Sequence, residues 1–575
     1  MTAPLDLLPV PRHLEVSDGS VTTVREPAVT RNPSLPAEGY ELRITSEAIT
    51  IVAADAPGEL YARATLAQLL QQHTGDAPPV VTIRDWPDLP VRGVMLDVSR
   101  DKVPAMDTLY ALIHRLASWK VNQVQLYMEH TFAYADHEDV WRAASPFTPD
   151  EIRALDSFCR ERHVELVPNQ NCLGHMERWL AHDRYRPLAM RPEGFTDDIG
   201  RRRGPTTIEP TNPGSIDLVR GLLHELLPNF TSRRVHVGLD EPWELEAERI
   251  DDYLAWARTV SAFSELDGYE VLVWGDILAG RKELIGALPD TVTVCEWGYD
   301  DWYPFDERAA TFAAAGRSFW VCPGTSSWLT ILGRVTNMRG DCASAMDAAL
   351  AHGASGFLNT DWGDFGHLQY LPISEPGFAY GAAVSWCVDT NRDLDLAAVL
   401  NAHRFDDESG ELGAVLVELG DLYLAVSPQV PNVSALVLHL YFPQLHLDRG
   451  PTKGLTVDQL HGVAQQLDGV EARIARSRPH SDDGVLVREE LRNAIALVRV
   501  LVHDGIARLG GNGSLESIPP EQRDALAGEL RPIIAEHRRL WQARNRPGGL
   551  GDSCAWLENL LRCYETGEAG AVPAV

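Results

Sequence analysis

Arg234-Val-His-Val-Gly-Leu-Asp-Glu241 reads as a short buried strand that alternates from Val235 and ends in two adjacent carboxylates. Adjacent residues at a strand's end point in opposite directions, so Asp240 and Glu241 cannot simply duplicate each other. An acid pair on a core strand is costly to bury unless chemistry or a partner needs it. The surrounding chain decides what the pair is for.

Outward from this strand, similar runs begin near Val91, Val121, Val164, Val271, Val292, Phe319 and Gly356, which makes eight in all. Helical patterns lie between most of them. In the first, Leu109, Leu112, Ile113 and Leu116 recur at helical spacing after Pro104 and bury one stripe. Eight βα units over this span predict a (β/α)8 barrel at residues 89–390. An open doubly wound sheet is the alternative, but no Gly-rich phosphate loop follows the first strand. Residues 1–88 mix short strands (Tyr40–Ile44, Ala48–Val52) with one helix around Leu60 to Gln72, as a small α/β domain would. Strand signals fade after about residue 390. The region 391–575 reads as helical, with Leu491, Ile495, Val498, Leu501 and Val502 on one amphipathic helix and Leu530, Ile533, Ile534 and Trp541 on another. It is either a separate bundle or a layer on the barrel. The terminal GEAGAVPAV is the one low-complexity stretch.

Among 575 residues, 82 acidic against 51 basic side chains leave a net charge of −31. That field repels phosphate backbones, which argues against a nucleic-acid partner. The eight cysteines show no CxxC pair and no ligand-like spacing with histidine, and Cys295, Cys322 and Cys387 lie in apolar runs. A disulfide framework is not expected, and a reducing compartment fits. MTAPLDLLPVPRHL lacks the basic and apolar regions of a signal peptide, and no apolar stretch is long enough to span a bilayer. The expectation is a soluble, cytoplasmic protein, with a homodimer left open.

A barrel of this kind builds its active site at the C-terminal ends of its strands. Strand one offers Arg92 and Asp97, and strand two Glu129 and His130. Strand three offers Asn169, Asn171 and His175, and strand four Asp240 and Glu241. Strands five and six carry Trp274 with Asp276 and Glu296 with Trp297. Trp328 follows strand seven, and Asp361-Trp-Gly-Asp364 ends strand eight. Indole faces suit the apolar side of a pyranose, and carboxylates with a guanidinium take its hydroxyls. Each element also has a plain structural reading. Asp97 could bond backbone with Arg92 as its partner, His236 reads better as a bonded core residue, and His175 as loop packing is comparable to His175 orienting an acid. Metal binding by His236, Asp240 and Glu241 is disfavoured, since no HExxH-type pair supplies further ligands. Neither a metal nor a cofactor is expected.

These residues resemble glycoside hydrolase family 20, the β-N-acetylhexosaminidases. His236-Val-Gly-Leu-Asp-Glu241 is similar to the family's His-x-Gly-Gly-Asp-Glu, with Leu239 in place of the second glycine. Val91-Arg-Gly-Val-Met-Leu-Asp-Val-Ser-Arg100 resembles its Arg-Gly…Leu-Asp…Arg opening strand. Lys120-Val-Asn122 and Gly174-His175 match two further elements. The segment with Gly58-Glu-Leu-Tyr61, Thr65-Leu66 and Gln68-Leu-Leu70 resembles the small domain that precedes the family's barrel.

The resemblance implies retention by substrate assistance, an exception to the two-carboxylate scheme. Asp240 would hold the acetamide N–H, and Glu241 would protonate the leaving oxygen and then deprotonate water. A general acid needs a raised pKa, which a closed, tryptophan-lined pocket provides. Arg92 would bind O3 and O4, Trp274 and Trp362 would wall the pocket, and Asp364 would take O4 or O6. His175, Trp297 and Glu129 are further binding candidates. The substrate implied is an N-acetylhexosamine glycan or glycoconjugate with terminal β-linked GlcNAc or GalNAc. The alternatives are a non-catalytic glycan-binding barrel or a related hydrolase of another N-acetylated glycan.

Three departures mark a divergent branch. Leu126-Tyr-Met-Glu-His-Thr131 replaces the family's Leu-His-Leu-Thr-Asp-Asp, so Glu129 or His130 would stand in for the relay aspartate. Asn171-Cys-Leu-Gly-His175 replaces Asp-x-Pro-Gly-His. Trp328-Leu-Thr330 falls where many members have Tyr-x-Asp, and an indole N–H can donate in place of the tyrosine.

Overall fold

The computed structural model describes residues 5–20, 26–73, 78–197, 202–279, 281–570 and 573. The first four residues of the amino-terminal stretch and most of the last five lie outside them, with the sequence expectations placed there. Eight parallel strands close a barrel: Val91–Asp97, Gln123–Met128, Glu165–Gln170, Arg234–His236, Glu270–Trp274, Val292–Trp297, Phe319–Cys322 and Gly356–Asp361. Most of their residues are buried, as expected for strands covered on both faces. The interior is filled by Met95, Tyr127, Leu272, Trp274, Trp320 and Leu358 among others, so the barrel is a packed core with its chemistry confined to one end.

The fourth strand is shorter than its sequence pattern. The ladder covers Arg234–His236, and Leu239 and Glu241 then adopt φ of 75° and 44°. The directions of Asp240 and Glu241 are therefore set by left-handed backbone at Leu239 and Glu241 rather than by strand alternation. Leu239 holds a conformation that favours glycine while its side chain is fully buried, so apolar burial offsets a backbone cost of roughly 1–2 kcal/mol.

Ahead of the barrel, a five-stranded sheet carries the helix Ala56–Gln71, which Asp55 caps through the N–H of Gly58. Buried Asp85 joins the two units, accepting from Lys120 Nζ at 2.8 Å, Tyr40 Oη at 2.8 Å and Trp386 Nε1 at 2.9 Å. After the barrel, the helices Val457–Arg476, Gly484–Gly510, Pro520–Arg544 and Leu550–Thr566 pack successively on one another. They form a layer on the barrel. Ala105 N donates to Arg544 O at 2.9 Å and Arg546 N to Val103 O at 2.8 Å, which clamps the layer to the loop after strand one. Among the described residues no helix is long and apolar enough to cross a membrane.

Candidate active site

The C-terminal ends of the strands surround a cavity of about 240 Å³. Glu241, His175, Glu129, Arg100 and Asp364 line it from the barrel. His175 is the hub. Its Nε2 lies 3.3 Å from Asp240 Oδ2 and 3.4 Å from Glu241 Oε2, and its Nδ1 is 3.2 Å from an Arg100 guanidinium nitrogen. Gly174 lets this loop approach: a Cβ there would sit 2.4 Å from the Asp240 carbonyl oxygen. Burial opposes charge on the imidazole, but the Asp240 carboxylate and the closeness of both acids win and hold its pKa well above the ordinary value.

The two acids occupy different surroundings. The Asp240 side chain is 8% exposed and that of Glu241 36%. Burial works against an ionised Asp240. His175, the 2.7 Å bond donated by Asn171 Nδ2 and the charge of Arg100 outweigh it, and the carboxyl lies below its usual range. Glu241 opens on the cavity, with its N–H donating to Asp276 Oδ2 at 3.1 Å.

Of the two strand-two candidates, Glu129 is the one behind His175. Its Oε1 lies 4.0 Å from His175 Nδ1 and 3.7 Å from Arg100, so the contact is electrostatic rather than a hydrogen bond. Burial raises Glu129 to about 7 against the pull of Arg100 and His175. His130 is buried away from these groups, and burial lowers it to about 3. His236 is fully buried with its ring 4.2 Å from that of Trp274, as a core residue.

Arg92 is not in the site. It starts strand one at the opposite end of the barrel, buried, with its guanidinium bonded to Leu89 O at 2.8 Å, Lys120 O at 3.0 Å and Tyr61 Oη at 3.2 Å, and paired with Glu38 at 2.7 Å. Strand polarity is the reason: only residues near Asp97 reach the C-terminal mouth. Arg100, three residues after Asp97, occupies the place expected of Arg92. Asp97 accepts from the Arg100 guanidinium at 3.1 Å and from the N–H groups of Ser99, Arg100 and Gly363. Arg100 Nε lies 3.5 Å from Asp364, whose carboxyl is raised by burial against the lowering effect of Arg100. Arg100 is visible in the sequence as the last residue of the opening motif, and a count along the strand places it at the mouth.

The tryptophans also differ from expectation. Trp274, Trp328 and Trp362 are buried and Trp297 half-buried, forming an aromatic layer beneath the cavity rather than its open walls. Trp362 packs 5.9 Å from Trp274 and edge-on to Tyr127 at 4.8 Å, the Arg100 guanidinium covers it at 4.9 Å, and its Nε1 donates to Tyr299 Oη. Burying the ring removes apolar area from water, and a cation over an indole face adds about 0.5–2 kcal/mol. The indole walls of the open cavity are Trp243, edge-on to His175 at 5.3 Å, and Trp556 from the last helix. Sequence reasoning misses both. Trp243 stands two residues after Glu241, a position that could have drawn notice; nothing local marks Trp556.

Asp276 backs the acid pair. Burial, then the charge of Asp240, raises it to about 8 from 3.8. The native state thus keeps a proton that the unfolded chain loses. Its stabilising effect is full below about pH 4 and disappears as pH rises through 8. Each unit of the shift is worth about 1.4 kcal/mol. Asp276→Asn, which keeps an acceptor for the Glu241 N–H, is expected to gain at least that much on the native protein between pH 5 and 9 in urea unfolding. Parallel stability curves for the two proteins would refute the protonated assignment.

Among the described residues no cluster of His, Cys, Asp and Glu could hold a metal ion. A closed parallel barrel that gathers paired acids, an imidazole, an arginine and indoles at its strand ends has the frame of a glycoside hydrolase. The chain belongs to glycosyl hydrolase family 20. Residues 10–86 match the family's domain 2 and residues 89–343 its catalytic domain. The chain is 25% identical over 269 residues to a Beta-hexosaminidase of Akkermansia muciniphila, covering 42% of this chain and 53% of that one. It is 24% identical over 268 residues to a Lacto-N-biosidase of Bifidobacterium bifidum, covering 43% and 23%. It therefore spans about half the length of the first and a quarter of the second. A solved mutant Streptomyces plicatus beta-hexosaminidase in complex with GlcNAc aligns at TM-score 0.56 and 18% identity, covering 70% of this chain and 94% of that one, which is a likeness of fold.

Proposed function

We propose that this chain is a retaining exo-β-N-acetylhexosaminidase that uses its substrate's acetamide as nucleophile. The observation that carries the reading is the shared imidazole: His175 Nε2 sits between buried Asp240 and cavity-facing Glu241, 3.3 and 3.4 Å away. One acid is thereby kept ionised and the other presented to a substrate. The acetamide oxygen attacks C1 as Glu241 gives its proton to the leaving oxygen, and the C1–O bond breaks. Asp240 stabilises the positive charge that develops on the acetamide N–H. Glu241 then takes a proton from water, whose oxygen opens the oxazolinium at C1 with net retention. Arg100 and Asp364 hold the hydroxyls of the terminal sugar. The indole N–H groups of Trp274 and Trp328 are buried without partners, and such a donor costs roughly 1–3 kcal/mol. An acetamide oxygen reaching the Trp328 N–H would satisfy it, in the role the family gives to tyrosine. The cavity of about 240 Å³ lies below the usual ~300–1,000 Å³ of ligand sites, which favours a single sugar.

Incubation with aryl β-N-acetylglucosaminide and its galacto epimer tests the reading. Release of the aryl group with β-anomer formed first is expected. No release from folded protein between about pH 4 and 8, the range of a tuned carboxylic acid, would refute it. Eight buried free cysteines suit a reducing, cytoplasmic location, which fractionation of the source cells would check.

A further inference from the structure

On the His175 side of the cavity, Trp243 packs edge-on to the imidazole at 5.3 Å with the Arg203 guanidinium 4.0 Å over its ring. Beside the loops that carry Asp364 and Arg100, the cavity is lined by Trp556 and Asp552 of the helix Leu550–Thr566, which lies outside the residues either family model matches. Trp556 is 3% exposed and packs on Phe365 at 5.0 Å and Tyr441 at 5.8 Å. The loop after Asp364 is moulded to it: Phe365 and Gly366 hold φ of 55° and 86°, and a Cβ on Gly366 would lie 2.4 Å from Trp556 Cδ1. Asp552 reaches the other loop. It accepts from Arg178 at 2.7 Å, and Arg178 also donates to Asp101 at 3.0 Å, the residue after Arg100. One helix therefore braces both loops that present Arg100 and Asp364.

We infer that Trp556 and Asp552 determine specificity at the non-reducing end: they seal the terminal sugar's pocket beyond O4 and O6, so that substituted sugars are excluded. The inference rests on the hexosaminidase reading for the orientation of the sugar. The seal is steric and rigid. An apolar ring fills the space a 6-substituent would need, and the Asp552–Arg178–Asp101 chain keeps the Arg100 loop from yielding.

The test compares kcat/KM for aryl β-N-acetylglucosaminide with that for its 6-O-methyl derivative, in the full-length protein and in Trp556→Ala and Asp552→Ala. The native protein is expected to favour the unsubstituted glycoside. Excluding or admitting one methyl-sized group is worth ~10–200-fold, so Trp556→Ala should cut that preference about 10-fold or more, with Asp552→Ala moving it the same way. Asp552 is half-exposed at 53%, so its variant reports even if Trp556→Ala fails to fold. A native protein that is active but shows the same preference as Asp552→Ala and any folded Trp556→Ala overturns the inference alone. A folded native protein that releases no aryl group from either glycoside overturns the hexosaminidase reading, and the inference falls with it.

Discussion

Glu241→Gln is expected to lower kcat/KM by about 10²–10⁴ on a substrate with a poor leaving group, the range spanned by general acid–base catalysis. The variant keeps the size of the side chain and loses the proton that the leaving oxygen needs. With an aryl leaving group of low pKa that proton matters less, so the loss should shrink for bond cleavage and persist for the water step. Asp240→Asn should behave differently. Its oxygen faces the acetamide in the proposed mechanism, and formation of the oxazolinium needs it whatever the aglycone. An electrostatic partner of this kind is worth ~10²–10³ in kcat. The expected result is therefore a leaving-group-dependent loss for Glu241 and a leaving-group-independent loss for Asp240. Equal profiles in a Brønsted series would reject the division of labour, and unchanged rates in either variant would reject the site.

The second large effect separates the two arginines of the opening strand. Arg100→Met removes the cation beside Asp97, Asp364, Glu129 and His175. It also removes the proposed donor to the sugar's hydroxyls, and kcat/KM should fall ~10²–10³. The depression of Asp240 rests partly on Arg100, so the acid limb of the pH profile should also move upward. Arg92→Met should do the reverse. Breaking a buried ion pair costs about 3–5 kcal/mol, and Glu38 in this pair is partly exposed, which puts the loss toward the lower value. The folded fraction should turn over substrate normally. Urea unfolding beside kinetics at matched folded fraction reads both. A stable, inactive Arg92 variant would overturn the placement at the far end of the barrel.

The barrel is legible in the sequence because its strands announce themselves. Each is a short, buried apolar run with a helix to follow, and local pattern suffices to count eight of them. The acid pair is legible for the same reason, since Asp240 and Glu241 interrupt an apolar run where burial is costly. Arg92 misleads because a motif says which residues occur together and not which end of a strand each occupies. The four tryptophans do belong to the layer of strand ends at the mouth, but exposure depends on what packs against each, and Arg100 and Tyr127 cover Trp362. Glu129 separates from His130 only once the strand's register shows which side chain faces His175.

By itself the sequence determined the eight-stranded barrel, the helical region that follows it and the acids at the end of strand four, because periodicity and the cost of buried charge are local properties. Tertiary structure decided which arginine enters the site, which indoles face the cavity, and that the helix Leu550–Thr566, far along the chain from the acid pair, lines the pocket. Those facts depend on distances between chain segments that no spacing along the chain encodes.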